Sequence, residues 1–316
     1  MSPLNPAQTA FLFPGQGSQA VGMGCALAEA YPVAREVYQQ ADELLGFSLS
    51  HLSWEGPEAE LNDTINTQPA LLVHSAAALR VFQQLYPEFR PAFVAGHSMG
   101  ELSALVGASA LDFPGALHLA RRRGELMKRA GEVSPGGMAA VMGLDIPTLD
   151  QLCEAASRPG EIVQVANDNC PGQVVISGAS PALEHALELV QQAGARKSKA
   201  LAVSIAAHSP LMEHAQADFN QAVEAARITD SRLPLIGNVT AQPLTTAELI
   251  RADLQAQLTS RVRWTETIQI MLAHGVFAFV ELGSGSVLTG LVKRINSETT
   301  RINLGTPEDF EKLAAQ

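Results

Sequence analysis

Residues 93–105 read FVAGHSMGELSAL, with a serine between two glycines where an apolar run gives way to helix-forming residues. This order fits a G-x-S-x-G nucleophile elbow, a sharp strand-to-helix turn that lifts the Ser98 hydroxyl above a sheet. The same letters also make an ordinary tight turn, so the chemistry depends on what else converges there. The amide of Met99, at the start of the helix, can meet a developing oxyanion with help from the helix dipole. A second glycine-rich strand end, FLFPGQGSQAVGMG at 11–24, would let a backbone N–H approach a ligand. As a dinucleotide fingerprint it fails, because Ala20 stands at the third glycine and no acidic residue follows at the right distance.

A serine nucleophile needs a base, and a charged substrate needs a counter-ion. Among the eight histidines, His97 adjoins Ser98 but projects elsewhere. His208, in AVSIAAHSPLM, falls where a strand gives way to a helix, the usual place for site residues in an α/β sheet. Spacing alone does not choose it over His74 or His274. Residues 112–130 (DFPGALHLARRRGELMKRA) form a helix whose apolar face contains Ala116, Leu119, Ala120, Leu126, Met127 and Ala130. Arg123 falls in the middle of that face, while Arg121 and Arg122 point away from it. A buried guanidinium requires an anion, either an internal carboxylate or the carboxylate of a ligand held bidentately.

The elements that must position these groups follow from alternating short apolar runs and helical patterns. TAFLF (9–13) and PAFVAG (91–96) read as strands, with helices near 33–45 and 67–85 and another after Ser98, which predicts a parallel α/β sheet. Residues 137–205 change to strand (GMAAVMGL), helix (IPTLDQLCEAAS), two strands (EIVQVAND, GQVVISG) around an NCPG turn, a Ser-capped helix (SPALEHALELVQQAG) and strand (SKALAVSIA). That βαββαβ order is a ferredoxin-like unit. The α/β pattern then resumes with LPLIGNV (233–239), helices near 246–258 and 264–274, the strand FAFVEL and a final helix. The expected organisation is a large α/β domain over 1–132 and 206–316, carrying a ferredoxin-like subdomain over 133–205.

Composition narrows the function classes. With 316 residues, 47% hydrophobic and 17% charged, the chain can bury a large core and is not disordered. A net charge of −11 disfavours nucleic acid, whose phosphates need a basic face. Cys25, Cys153 and Cys170 are far apart and include no C-x-x-C, so neither a disulfide framework nor a metal site is expected. The uncharged stretch 1–28 is interrupted by Pro3, Pro6, Pro14 and several Gly and Gln, and no basic segment precedes it. The expectation is a cytoplasmic protein with no membrane partner.

Taken together, FPGQGSQ (13–19), GHSMGE (96–101), RRG (122–124), AHSPLM (207–212) and ELGSGSVLTGL (281–291) resemble the malonyl-CoA:acyl carrier protein transacylase family. The resemblance covers nearly the whole chain. It implies an α/β-hydrolase-like core with an inserted ferredoxin-like subdomain, and transfer of a malonyl group from coenzyme A to the phosphopantetheine thiol of an acyl carrier protein. No cofactor is implied beyond the coenzyme A thioester, which is substrate. By the same resemblance Ser98 is the acylated nucleophile and His208 its base. Arg123 grips the malonyl carboxylate, and the amides of Gln16 and Met99 form the oxyanion hole. A carbonyl before Trp264, expected at Ser260, orients the histidine, and Asn169 lies near the cleft.

Two positions depart from the family pattern. Arg261 stands where many relatives have proline, which leaves the loop carrying Ser260 without that restraint. Ala207 stands where related polyketide acyltransferases often carry Phe or Ser, which leaves acyl selectivity open. A hydrolase passing the acyl group to water is the chemical alternative. A non-catalytic subunit would be expected to lack Ser98, His208 or Arg123. An acidic carrier protein requires a local basic patch on this acidic chain, and Arg196, Lys197 and Lys199 supply one, with Lys293 and Arg294 as a second.

Overall fold

The computed structural model describes residues 4–201, 203 and 205–315. The strands expected beside the two glycine-rich turns form and lie next to each other. β1 (Thr9–Phe13) and β2 (Phe93–Gly96) pair in parallel with Phe13 opposite Gly96, so both turns leave the sheet at the same, C-terminal end of the strands. Both strands are buried along their whole length, as expected of a sheet covered by helices on both faces.

The chain then builds a second, antiparallel sheet from β3 (Gly136–Met142), β4 (Val163–Cys170), β5 (Gln173–Ala179) and β6 (Lys197–Ala200), in the order β4-β5-β3-β6. Helices Ile146–Ala156 and Ser180–Gln192 supply the two crossovers, which gives the βαββαβ connectivity. One face of this sheet packs Ala139, Val141, Val165, Val174 and Ile176 against Leu149, Cys153, Leu183 and Ala186 of those helices. With a side-chain period of two, Met138, Ala140 and Val175 face the other way and line a cleft.

β7 (Leu235–Ile236), β8 (Pro243–Leu244), β9 (Ala278–Leu282) and β10 (Thr300–Leu304) complete the first sheet, ordered β10-β9-β1-β2-β7-β8. All of its pairings are parallel except β7 with β8. Among the described residues no helix is long and apolar enough to cross a membrane.

Four local expectations are corrected. The strand read in SKALAVSIA ends at Ala200, where the chain leaves the sheet after a last bond from Leu201 N to Met138 O; residues 202 and 204 lie outside the described residues. His208 therefore follows an irregular segment, not a strand. LPLIGNV contributes only Leu235–Ile236 to the sheet, because the chain turns back at 237–242 into β8. Ser180 is the first residue of its helix, and Ala179 flanks it without a side-chain cap. β10 is an additional strand, half-exposed at the sheet edge and too polar (TRINL) to announce itself as an apolar run.

Candidate active site

The elbow is built by close backbone approach. A Cβ on Gly96 would lie 1.9 Å from the Gly100 carbonyl oxygen, and one on Gly100 would lie 2.2 Å from that of Phe13, so no side chain fits at either position. Between them Ser98 adopts φ +53°, a left-handed conformation that few residues with a Cβ accept. Asn238 holds it there: its Oδ1 accepts from Ser98 N at 2.7 Å and its Nδ2 donates to Gly96 O at 2.7 Å. Met99 follows as the residue before the helix Gly100–Gly107.

His208 meets the serine from the other side. Ser98 Oγ and His208 Nε2 are 2.8 Å apart, and His208 Nδ1 faces the carbonyl oxygens of Gln257 at 2.9 Å and Ser260 at 3.1 Å. Carbonyls only accept, so Nδ1 carries the proton and Nε2 is the free base facing the hydroxyl. The Ser260 carbonyl named from the sequence is one of the two that Nδ1 faces, and that of Gln257 is the nearer. Gln164 Nε2 donates to His208 O and Thr259 O, stapling the two backbone segments together. His208 also has a positive φ of 59°. His74 instead bonds Gly305 O, and His274 bonds Ile270 O at the end of its own helix.

Arg123 is 2% exposed, whereas the side chains of Arg121 and Arg122 are 28% and 46% exposed, as the helical geometry requires. Its Nη1 donates to Gln68 Oε1 at 2.9 Å, and its Nη2 donates to Gln257 Oε1 at 2.9 Å and to Ser98 Oγ at 3.1 Å. All three acceptors are neutral, and Arg123 takes part in none of the ion pairs among the described residues. Its Nε finds no hydrogen-bond partner among the described residues. The internal carboxylate allowed by the sequence is therefore not a hydrogen-bonded partner of Arg123.

The electrostatics follow from burial. Loss of water, reinforced by the nearby Arg123 guanidinium and by His97, pushes His208 down to about 3 against the pull of its two carbonyl partners. Burial pushes Arg123 down to about 10, so it remains a cation at neutral pH. The site in its resting state is a neutral base, a neutral hydroxyl and a buried positive charge.

These groups open on a cleft of about 680 Å³ between the two sheets, a size suited to a small-molecule ligand. Gln16, Ser98, Arg123, Asn169, Ala207 and His208 all line it. Asn169 does not touch the serine; its Oδ1 accepts from His97 Nε2 at 2.8 Å and so fixes the imidazole next to the elbow. Gln16 Oε1 accepts from Thr64 Oγ1, which in turn accepts from Gln68 Nε2, linking the first glycine-rich turn to the Arg123 network. The loop carrying Ser260 needs no proline: Val262 bonds Ala166 O and Asp168 N on β4, and the Arg261 guanidinium pairs with Asp150.

Gln68, Gln257 and Asn238 belong to none of the sequence motifs. Two of them nevertheless leave the same trace as Arg123, a polar residue on a buried helical stripe. Gln68 sits among Leu71 and Leu72, and Gln257 continues the stripe of Ile250, Asp253 and Leu254.

A mostly parallel sheet with a serine elbow at its strand ends, a histidine within hydrogen-bond reach of that serine and a second, antiparallel sheet over the cleft make an α/β protein equipped for acyl-group chemistry. The chain belongs to the acyl transferase domain family, whose sequence profile matches residues 10–304. It is 44% identical over 310 residues to a malonyl CoA-acyl carrier protein transacylase of Bacillus subtilis, covering 98% of this chain and 97% of that one. Its fold superposes with a TM-score of 0.94 and 41% identity on an acyl carrier protein S-malonyltransferase from Vibrio cholerae, covering 97% and 99% of the two chains. A complex of a type II PKS acyl-carrier protein with its malonyl-transacylase matches with a TM-score of 0.94 and 40% identity, covering 98% and 100%.

Proposed function

We propose that this chain moves a malonyl group from coenzyme A, by way of an ester on Ser98, to the phosphopantetheine thiol of an acyl carrier protein. The observation that carries the reading is the guanidinium of Arg123, buried with only neutral acceptors and bonded to the Ser98 hydroxyl. A buried cation without a counter-ion favours a ligand that brings its own carboxylate, and a malonyl group has one beside its thioester carbonyl. The names of the relatives support the same substrate and acceptor.

In this mechanism His208 Nε2 takes the Ser98 proton as Oγ attacks the thioester carbonyl. The amides of Gln16 and Met99 receive the tetrahedral oxyanion. Collapse breaks the C–S bond, and the histidine returns the proton to the departing coenzyme A thiolate. The carrier thiol repeats the sequence in reverse, giving up its proton to His208. The large domain (1–132 and 206–316) carries the reacting groups, and the subdomain 133–205 walls the cleft. The reaction belongs to the cytoplasm, where Cys25, Cys153 and Cys170 stay reduced.

Intact-protein mass spectrometry after exposure to malonyl-CoA tests the reading. A malonyl adduct is expected on the protein and absent from Ser98→Ala. An adduct of equal stoichiometry in the alanine variant would overturn the assignment. Adding carrier protein should discharge the adduct onto its thiol; discharge to water at the same rate without carrier would identify a hydrolase.

A further inference from the structure

The acidic residue that closes the GHSMGE motif, Glu101, has no part in the mechanism above, yet it is fully buried one residue beyond the elbow's second glycine. Its Oε2 accepts from Gln257 Nε2 at 2.6 Å, the same amide whose Oε1 accepts from Arg123 and whose Nε2 also reaches Ser98 O at 3.2 Å. Among the described residues its Oε1 is buried and makes no hydrogen bond of normal geometry. The neighbouring polar groups are the backbone N–H of Asn238 and the carboxylate of Asp253, itself 2% exposed and accepting from Val239 N, Thr240 N and Thr240 Oγ1.

We propose that Glu101 is a positioning residue, held as a neutral carboxylic acid between Asp253 and Gln257, which fixes the Gln257 amide so that its oxygen faces Arg123 while leaving the guanidinium charge free for the substrate carboxylate. This rests on the malonyl-transfer reading. Three facts converge on it. An ionised Glu101 would set two carboxylates beside each other in the interior with Oε1 making no hydrogen bond of normal geometry, and a proton on Oε1 directed at Asp253 removes both costs. Burial, followed by the Asp253 charge, accordingly raises Glu101 well above the usual carboxylate range. Finally, with that proton on Oε1 and turned to Asp253, Oε2 can only accept, so the Gln257 amide cannot turn over and present its N–H groups to Arg123.

The glutamine that mimics a protonated glutamate separates this from plain packing. Glu101→Gln keeps an acceptor for Gln257 and a donor for Asp253, whereas Glu101→Leu keeps only the shape. In Glu101→Leu the malonyl-CoA kcat/KM is expected to fall roughly 10- to 100-fold, the effect of losing one hydrogen bond in a charged network. The acetyl-CoA value should fall less, and Glu101→Gln should restore most of the loss. Infrared difference spectra at neutral pH should show a protonated-carboxyl band in the wild-type protein that Glu101→Gln lacks, a readout independent of activity and available even if the leucine variant does not fold. No such band, or equal losses for both substrates in Glu101→Leu, or no rescue by glutamine, would overturn the proposal. A wild-type protein that forms no malonyl adduct would instead overturn the underlying reading, whatever the spectrum shows.

Discussion

Arg123 makes a bond that its expected role does not require, from Nη2 to the oxygen of Ser98. It therefore touches both the place where the malonyl carboxylate would sit and the atom that reacts. In Arg123→Ala the malonyl-CoA kcat/KM should drop by about 30- to 5,000-fold, from losing about 2–5 kcal/mol when one member of a desolvated pair is removed. Acetyl-CoA should lose far less, because it brings no charge to be stranded. Measuring both substrates alongside melting temperatures checks this, and equal losses would refute the clamp. His208→Ala should slow acylation by roughly 10²–10⁴-fold. The pH dependence has a definite sign. A histidine held near 3 stays a free base as pH falls through the ordinary imidazole range, so the acidic limb of kcat/KM should lie well below about 6.5. Arg123 is the second cause of that depression after burial, so in Arg123→Ala, assayed with acetyl-CoA, the limb should move up. A wild-type limb at the usual histidine position would contradict the burial and charge described here.

At the scale of elements, the elbow is the point where two strands and a helix come within backbone contact. Gly100→Ala places a methyl group against the Phe13 carbonyl and should destabilise the protein by about 1–3 kcal/mol or more, with acylation falling further as Ser98 is displaced. A methyl group added to Gly290, in the helix Val287–Ile295, would meet nothing within 4 Å among the described residues, so Gly290→Ala should gain about 0.5–1 kcal/mol. Denaturant midpoints of the two variants provide the check. Elements that bury a regular face were legible in the sequence: TAFLF, the helix bearing Arg123 and the βαββαβ order. So were residues whose type conflicts with their face, Arg123 above all. The strand ends at Ala200 and Ile236 were not legible, because they depend on where a neighbour stops pairing. The partners of Arg123 were hidden for a related reason: Gln68 and Gln257 lie 55 and 134 residues away from it. No local pattern links such positions.

For the whole molecule, a net charge of −11 opposes an acidic carrier protein, so docking must be local. Lys199 and Lys197 pair with Ala140 and Met142 on β3, and Ala140 lines the cleft, so both lysines rise from the cleft-facing side of the small sheet. Reversing the charges of Arg196, Lys197 and Lys199 should raise KM for the carrier protein and leave that for malonyl-CoA unchanged. Unchanged carrier kinetics would dismiss this patch in favour of Lys293 and Arg294. The histidine, meanwhile, is oriented by the carbonyls of Gln257 and Ser260, which belong to the peptide backbone. Every residue type supplies the same oxygen, so this part of the proposed apparatus is encoded in the path of the chain and not in any codon. A mutational scan of positions 257 and 260 would read side-chain effects and miss it. Only a change that reroutes the main chain, or an amide-to-ester exchange that weakens the acceptor, can reach it, and inheritance can lose it only by losing the fold.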